Sequence, residues 1–345
     1  MQRFYCQTCD HEVHFDNVAC VACDSALGYA PQINAMLAAA PGEPWRDDRP
    51  DDNGATYNAC ENRDFAACNW LVDGAGGLCR ACQHNRVIPN LDDPASLALW
   101  RAIEAAKRRL FYSLIRWHLP APTKAQDETA GLAFDFLADE VGPDGMAKQH
   151  LTGHASGLIT INIAEGDDAE RERRRSEMGE PYRTLVGHFR HEIGHYYWDR
   201  LVANGPALQK CRELFGDDRE DYGAALERHY QNGPPADWAD HAISAYATAH
   251  PWEDFAETFS HYVHMVDGLE TAHAFGIVMA GGLAANDPYE AGSAEDLIAA
   301  WVPVTVAVNA VNRSMGQPDL YPFVLSPAVA QKLGFIHALI RGEAV

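Results

Sequence analysis

The amino-acid sequence predicts an α+β fold in which a small cysteine-rich region, residues 1–90, precedes a larger mixed domain, residues 91–345. Two close pairs of cysteines near the N-terminus predict a compact metal-binding region. Alternation of apolar residues at Phe134 and Phe136, and the β-branched stretch 158–163, predict strands. An apolar repeat at helical spacing surrounds residues 191–195 and predicts the central helix of the larger domain.

This helix carries His191-Glu192-Ile193-Gly194-His195, the pattern HExxH. Side chains four residues apart lie on one helix face, so both imidazoles can reach one metal ion beside Glu192. Two nitrogen ligands, a carboxylate base and an open position are the features of a zinc peptidase site. The helix is supported by a stop at 204–206 and by apolar residues at helical spacing: Leu185, Val186, Phe189, Ile193, Tyr196, Tyr197 and Leu201. The alternative is a chance pattern with two ordinary core histidines.

A catalytic zinc site needs a third protein ligand, and a second helix supplies candidates. Pro251 suits the first position of this helix and Gly268 its end. Glu253 and Glu257 then lie four residues apart on one face, among aromatic residues and alanine. An unpaired buried charge costs several kcal/mol, so these carboxylates need positive partners, which zinc and a metal-bound histidine would provide. An amphipathic helix with solvated glutamates is the alternative.

The two helices together resemble a known family. Residues 182–200 and 244–262 resemble the zinc-binding metallopeptidases of the Peptidase Mx type, which carry an N-terminal zinc ribbon. The spacing Tyr-x6-Glu-x-Phe-Ala-Glu is also similar to the end of the catalytic domain of anthrax lethal factor, a zincin. The resemblance covers nearly the whole chain. It implies a zincin-like metallopeptidase domain with an active-site HExxH helix, preceded by a small zinc-ribbon domain.

The resemblance also implies roles for individual residues. Glu253 becomes the third ligand of a catalytic zinc held by His191 and His195, as in gluzincins. Glu257 holds a histidine ligand in place, and Tyr246 assists the reaction. Apart from the resemblance, His250 and His261 flank the glutamates and are the alternative ligands if Glu253 is not one; ordinary packing or surface placement is the other interpretation of both.

The expected function is zinc-dependent hydrolysis of peptide bonds by a metal-activated water, with Glu192 as the general base. A non-catalytic zinc-binding scaffold for protein–protein interaction is the alternative. A zinc-ribbon module that binds nucleic acid, with a degenerate C-terminal domain, is a third reading. No Gly-rich phosphate loop follows a strand and no Gly-x-Ser-x-Gly motif is present, which removes the easier competing enzyme classes.

Eight of the nine cysteines form two sets, which predict one or two structural zinc ions beside the catalytic one. The first set has two Cys-x2-Cys pairs and strongly indicates a four-thiolate site: Cys6, Cys9, Cys20 and Cys23. The second set has one such pair and one irregular spacing, so free thiols or a disulfide are its alternatives: Cys60, Cys68, Cys79 and Cys82. Cys211 is expected to be a buried apolar residue.

The net charge, the N-terminal residues and the longest apolar stretch indicate which partners and which location to expect. A net charge of −22 disfavours nucleic acid and anionic membranes, and weakly favours basic peptide or protein substrates. The N-terminus shows no basic start followed by an apolar stretch, so we expect no signal peptide. The apolar stretch Leu297–Asn312 is interrupted by Pro303, Asn309 and Asn312 and is too short for a membrane span. We therefore expect a cytoplasmic protein without a membrane partner.

Overall fold

The computed structural model describes residues 1–49, 54–66, 68–74, 76–141, 147–148, 150, 152–178, 184–277, 283 and 287–344. The chain forms two compact units. Unit 1 contains Met1–Ile115, Pro120–Gly153 and Leu158–Glu172. Unit 2 contains Arg116–Leu119, His154–Gly157 and Arg173–Val345. The division of the chain at residue 90 stays a prediction.

Unit 1 begins with short antiparallel strand pairs that bring the cysteines together. The elements of this part are β1 (Phe4–Tyr5), β2 (Glu12–Val13), β3 (Ala26–Ala30), β4 (Ala35–Ala39), β5 (Trp45–Arg46), β6 (Thr56–Ala59), α1 (Arg63–Ala66) and β7 (Leu71–Asp73). Strand β1 pairs with β2, β3 with β4, and β6 with both β5 and β7. These strands bury a core of their own, which includes Leu37, Trp45 and Leu71. Apolar packing therefore stabilises this part beside any metal that the cysteines bind.

A mixed layer of one long helix and a small sheet follows. Its elements, with the helix that comes next in the chain, are β8 (Asn85–Val87), α2 (Pro94–Arg116), β9 (Ala133–Leu137), β10 (Glu140–Val141), β11 (Ala147–Lys148), β12 (Gly153–Ala155), β13 (Leu158–Asn162) and α3 (Asp168–Met178). The sheet has the order β12-β13-β9-β8, with β8 and β13 both parallel to β9. The strands predicted around 134–136 and 158–163 are therefore confirmed.

The core of unit 1 joins the cysteine-rich part to α2. The ring of Tyr112, on α2, lies 5.6 Å from that of Phe15 and 6.1 Å from that of Tyr29. The same helix buries three charged side chains: Glu104, Lys107 and Arg108. Lys107 Nζ lies 2.6 Å from a Glu104 carboxylate oxygen, so these two charges are paired inside the unit. Removal of one partner of such a buried ion pair strongly destabilises the fold.

Unit 2 is mainly helical. Its helices are α4 (Leu185–Leu201), α5 (Leu208–Phe215), α6 (Tyr222–Asn232), α7 (Trp238–His241), α8 (Pro251–Ala274), α9 (Ala294–Ser314) and α10 (Pro327–Arg341). Helix α8 is the central one, packed against α4, α9 and α10. The predicted helix end at Gly268 is wrong, because α8 continues to Ala274. Gly268 has a packing role instead: a Cβ there would lie 2.5 Å from the Trp301 ring.

Helix α9 contains the apolar stretch for which no membrane span was predicted. Within the part of the chain that the structure describes, it is the one helix long and apolar enough to cross a bilayer by length and composition, with a mean hydropathy of 1.4. It has 21 residues, extends beyond both ends of the predicted stretch and continues through Pro303, so the expectation that this stretch is too short for a span is wrong. The helix also packs on unit 2 through buried Leu297, Trp301 and Val304, and such a helix is weak evidence for a span.

Candidate metal centre

Three side chains of unit 2 converge on one point. His191 and His195 lie one turn apart on α4, and their Nε2 atoms are 3.1 Å apart. Oε2 of Glu253, near the start of α8, lies 2.9 Å from Nε2 of His191 and 3.5 Å from Nε2 of His195. A tetrahedral zinc with bonds of 2.0–2.1 Å separates its ligand atoms by about 3.3 Å. The three atoms therefore fit the ligand set of a single zinc ion.

Local sequence features position the two helices that carry these donors. Thr184 caps α4 by accepting the N–H of Gly187 at 3.0 Å. His250 caps α8 through Nδ1, which accepts the N–H of Trp252 at 3.0 Å, and Pro251 occupies the first helical position. The helices approach closely at Gly194, where a Cβ would lie 2.9 Å from Cα of Ala256. The glycine inside HExxH thus permits the contact that brings the histidines to Glu253.

Substitution of Gly194 by alanine should test this close approach. The added methyl group meets backbone atoms, so we expect overpacking to destabilise the protein by about 1–3 kcal/mol and to weaken metal binding at the centre. Gly334→Ala is the matched control, because a Cβ at Gly334 on α10 would enter open space. Denaturant unfolding and metal titration measure the two effects. Equal behaviour of the two variants would contradict the packing argument.

A chain of hydrogen bonds reaches the first histidine from outside the centre. Oε1 of Glu257 lies 2.8 Å from Nδ1 of His191, and Ser244 Oγ donates to Oε2 of Glu257 at 2.6 Å. Ser244 Oγ in turn accepts the N–H of Ala247 at 3.1 Å. A carboxylate on one ring nitrogen turns the other nitrogen of that ring toward a metal. Glu257, to which the resemblance gives this role, contacts His191 in the structure; Ser244 was not predicted.

Tyr222 is a second residue that was not predicted at the centre. Its hydroxyl, on α6, donates to Oε1 of Glu253 at 2.7 Å. The ring of Trp252 contacts both sides of the centre, at 5.7 Å from the Tyr222 ring and 3.7 Å from the His195 ring. No periodicity or motif of the sequence marks Tyr222, because 31 residues separate it from Glu253.

The remaining predicted residues lie near the centre or are engaged elsewhere. The ring of Tyr246 is 5.9 Å from that of His191, so the two are neighbours. Of the two alternative ligands, His250 caps α8 and faces the Glu220 carbonyl through Nε2 at 3.2 Å. His261 faces the Tyr321 hydroxyl through Nδ1 at 2.8 Å. The group of donors contains neither of them.

Burial and charge shift the pKa values of the carboxyl groups in opposite directions. Burial raises the pKa of Glu192 to about 7; His191 acts to lower it and Glu253 to raise it. Burial also acts to raise the pKa of Glu257, but its contact with His191 outweighs this and holds it at about 2. The pKa of Glu253 is likewise far below the usual value, because the two histidines outweigh burial. Glu192 therefore differs from the other two in being poised near neutral pH.

The pKa values of the two histidines are also shifted in opposite directions. Burial acts to lower the pKa of His191, but Glu253 and Glu257 outweigh it and hold it well above the usual value. Burial lowers the pKa of His195, which Glu253 only partly offsets. Without metal, a protonated His191 would partner Glu253; bound zinc would supply that positive charge instead.

The eight predicted cysteine ligands form two groups in unit 1. The Sγ atoms of Cys6 and Cys23 are 3.7 Å apart and those of Cys9 and Cys20 are 3.6 Å apart. In the second group, Cys68 Sγ lies 3.7 Å from that of Cys79 and 3.8 Å from that of Cys82, and Cys60 completes the group. Zinc–sulfur bonds of 2.3 Å give a sulfur separation of about 3.8 Å in a tetrahedral site. Both groups therefore fit zinc.

The alternatives for the second group do not include a disulfide. All nine cysteines lie in the described part of the chain and all are free. The guanidinium of Arg108, whose residue is 2% exposed, lies close enough to Cys68 and Cys82 for their charges to interact. Burial acts to lower the pKa of Arg108, and these thiolates and Glu104 raise it. A buried cation beside four thiolates balances part of the negative charge of a zinc–thiolate centre.

The chain is similar in sequence to one known family and to several proteins of mycobacteria. A family model described as "Putative zinc-binding metallo-peptidase" matches residues 96–339, and a zinc-ribbon domain model matches residues 3–93. An uncharacterized protein of Mycobacterium bovis is 44% identical over 344 residues, which cover 99% of this chain and 95% of the relative. Two uncharacterized proteins of Mycobacterium tuberculosis match with the same identity and coverage. No solved structure matches the chain significantly.

These matches agree with the resemblance that the HExxH and glutamate helices carry. The metallopeptidase model covers more than half of the chain, and the ribbon model covers both groups of cysteines. The predicted fold class, an α+β metallopeptidase domain preceded by a small zinc ribbon, is confirmed. The chain belongs to the family of zinc-binding metallopeptidases that carry an N-terminal zinc ribbon.

Proposed function

We propose that the protein hydrolyses peptide bonds with one catalytic zinc, held by His191, His195 and Glu253 in a gluzincin-like centre. The observation that carries the proposal is the convergence of these three donors from two helices, at separations that suit one ion. When bound, zinc supplies Lewis-acid chemistry: it lowers the pKa of water toward about 7 and polarises the substrate carbonyl. A third ligand from a glutamate leaves one position open, as a catalytic site requires.

Glu192 is the proposed general base. Its side chain is buried, adjacent in sequence to His191 and three residues before His195. Among the residues that the structure describes, its carboxylate oxygen Oε2 has no hydrogen-bond partner. A base is most effective when its pKa lies near the working pH, and burial brings the Glu192 pKa to about 7. Glu192 would accept a proton from the attacking water and then donate it to the departing amine.

Tyr246 is the proposed donor to the oxygen that becomes negative during the reaction. Burial and the neighbouring Glu253 raise the pKa of its hydroxyl, which therefore keeps its proton at neutral pH. A hydrogen bond of this kind typically contributes about 3 kcal/mol to the transition state. The proposed substrates are peptides or proteins, and the acidic balance of the chain favours basic ones.

Elemental analysis of zinc, run beside digestion of a mixed peptide library, tests the proposal. The three groups of donors should give about three zinc ions per chain in the wild type and about two in Glu253→Ala, with loss of cleavage. Glu213→Ala, which changes an exposed glutamate on α5, is the control. A zinc content that Glu253→Ala leaves unchanged would remove Glu253 from the ligand set. Wild-type zinc binding without cleavage would favour the non-catalytic scaffold.

A further inference from the structure

We infer that Tyr222 is a positioning residue of the metal centre, which holds Oε1 of Glu253 so that Oε2 alone faces the two histidines. The inference rests on the proposed function, since it assigns a task to a residue beside the proposed zinc ligand. Its first support is geometric. The Tyr222 hydroxyl lies 2.7 Å from Oε1, while Oε2 lies 2.9 Å from Nε2 of His191.

The chemistry of a carboxylate ligand explains why this matters. A carboxylate can bind a metal ion through one oxygen or through both, and the second mode uses the position that a catalytic site keeps open. A hydroxyl that donates to Oε1 occupies that oxygen and favours the one-oxygen mode. The Glu253 side chain is only 2% exposed, so bulk water is poorly placed to do the same. Hydrogen bonds of this kind around a metal ligand typically change metal affinity by 10–100-fold.

The ring of Tyr222 has contacts that do not depend on its hydroxyl, although the residue is 39% exposed. Tyr222 is the first residue of α6, and Asp221 caps that helix by accepting the N–H of Ala224 at 2.7 Å. The Tyr222 ring meets the rings of His250 and Trp252 edge to face, at 5.3 Å and 5.7 Å. Phenylalanine at position 222 would keep these ring contacts and lose only the hydrogen bond.

Tyr222 and Tyr246 would therefore have different roles at the centre. Tyr222 contacts the carboxylate of Glu253, whereas the ring of Tyr246 neighbours that of His191. Loss of the Tyr222 hydroxyl should act through the metal, and loss of the Tyr246 hydroxyl should act through the transition state. Metal affinity and kcat therefore separate the two.

The test compares Tyr222→Phe and Tyr246→Phe with the wild-type chain. Competition with a chromophoric chelator measures zinc affinity, and cobalt(II) substitution gives an absorption spectrum that depends on the coordination number. We expect Tyr222→Phe to bind zinc at the centre about 10–100-fold more weakly. Its cobalt spectrum should shift toward that of a higher coordination number. Tyr246→Phe should keep the wild-type affinity and spectrum, with a lower kcat.

Two results would overturn the inference, and they differ. Wild-type affinity and an unchanged cobalt spectrum in Tyr222→Phe would remove the positioning role and leave the proposed function intact. A wild-type chain that binds metal only at its sulfur sites would remove the proposed function together with the inference. Thermal unfolding of each variant, compared with the wild type, shows whether the Phe substitution has preserved the fold.

Discussion

Glu192→Gln is expected to lower kcat for peptide hydrolysis by about 10²–10⁴-fold while the zinc content stays at the wild-type value. The amide has nearly the shape of the carboxylate but cannot accept the proton of the attacking water. The loss corresponds to about 2.7–5.5 kcal/mol in the activation free energy. Steady-state kinetics on a peptide selected from the library, with elemental analysis of the same sample, measures both quantities.

The same substitution should not cost stability. The Glu192 side chain is buried, and its raised pKa means that the folded state disfavours the charged form. A neutral amide removes that disadvantage, so the free energy of unfolding should be equal to or above the wild-type value at neutral pH. Glu213→Gln on the exposed face of α5 is the matched control, with wild-type activity expected. Near-wild-type kcat in Glu192→Gln would exclude Glu192 as the base.

Cys68→Ser is expected to remove one structural zinc and to unfold much of unit 1. Structural zinc sites contribute about 10–16 kcal/mol of apparent binding free energy to the folding of small domains. The group that contains Cys68 is fully buried, and Arg108 lies beside it. Without the metal the remaining thiols protonate more readily, so Arg108 loses part of the negative charge that faces it and keeps Glu104 and Asp16.

Zinc content, limited proteolysis and denaturant unfolding together measure this effect. We expect about one zinc fewer per chain and early cleavage within residues 1–115. Cys211→Ser is the control, since Cys211 is also buried but lies on α5 outside both cysteine groups. It should keep all zinc and lose stability only through packing. A Cys68→Ser chain with wild-type zinc content and proteolytic resistance would exclude a structural zinc in this group.

The helices of the centre could be predicted because their signals are local. Apolar periodicity and the stop at 204–206 defined α4, which ends at Leu201. Pro251 marked the start of α8 correctly. The end of α8 could not be predicted, because Gly268 serves contact with Trp301, a residue of another helix. The sequence alone does not show whether a glycine ends a helix or makes room for a side chain of a neighbouring helix.

The same difference between local spacing and tertiary contact decides which site residues could be predicted. His191 and His195 are linked by helical spacing, and the structure brings Glu253 to them, as the resemblance implied. Tyr222 and Ser244 meet Glu253 and Glu257 only through tertiary packing, so no spacing rule reaches them. The cysteine pairs are local motifs, but the buried Arg108 beside them belongs to a helix that follows the ribbon.

The three groups of possible metal ligands are of two chemical kinds. Each cysteine group offers four sulfur atoms, whereas the group in unit 2 offers two nitrogens and one oxygen. A four-thiolate centre is closed, but a three-donor centre leaves room for an outside ligand to bind the ion before it departs. A chelator would therefore strip the centre in unit 2 first and the sulfur centres much later. Under the proposed function, peptide hydrolysis would then be lost and restored with the metal of unit 2, while the sulfur centres keep unit 1 folded.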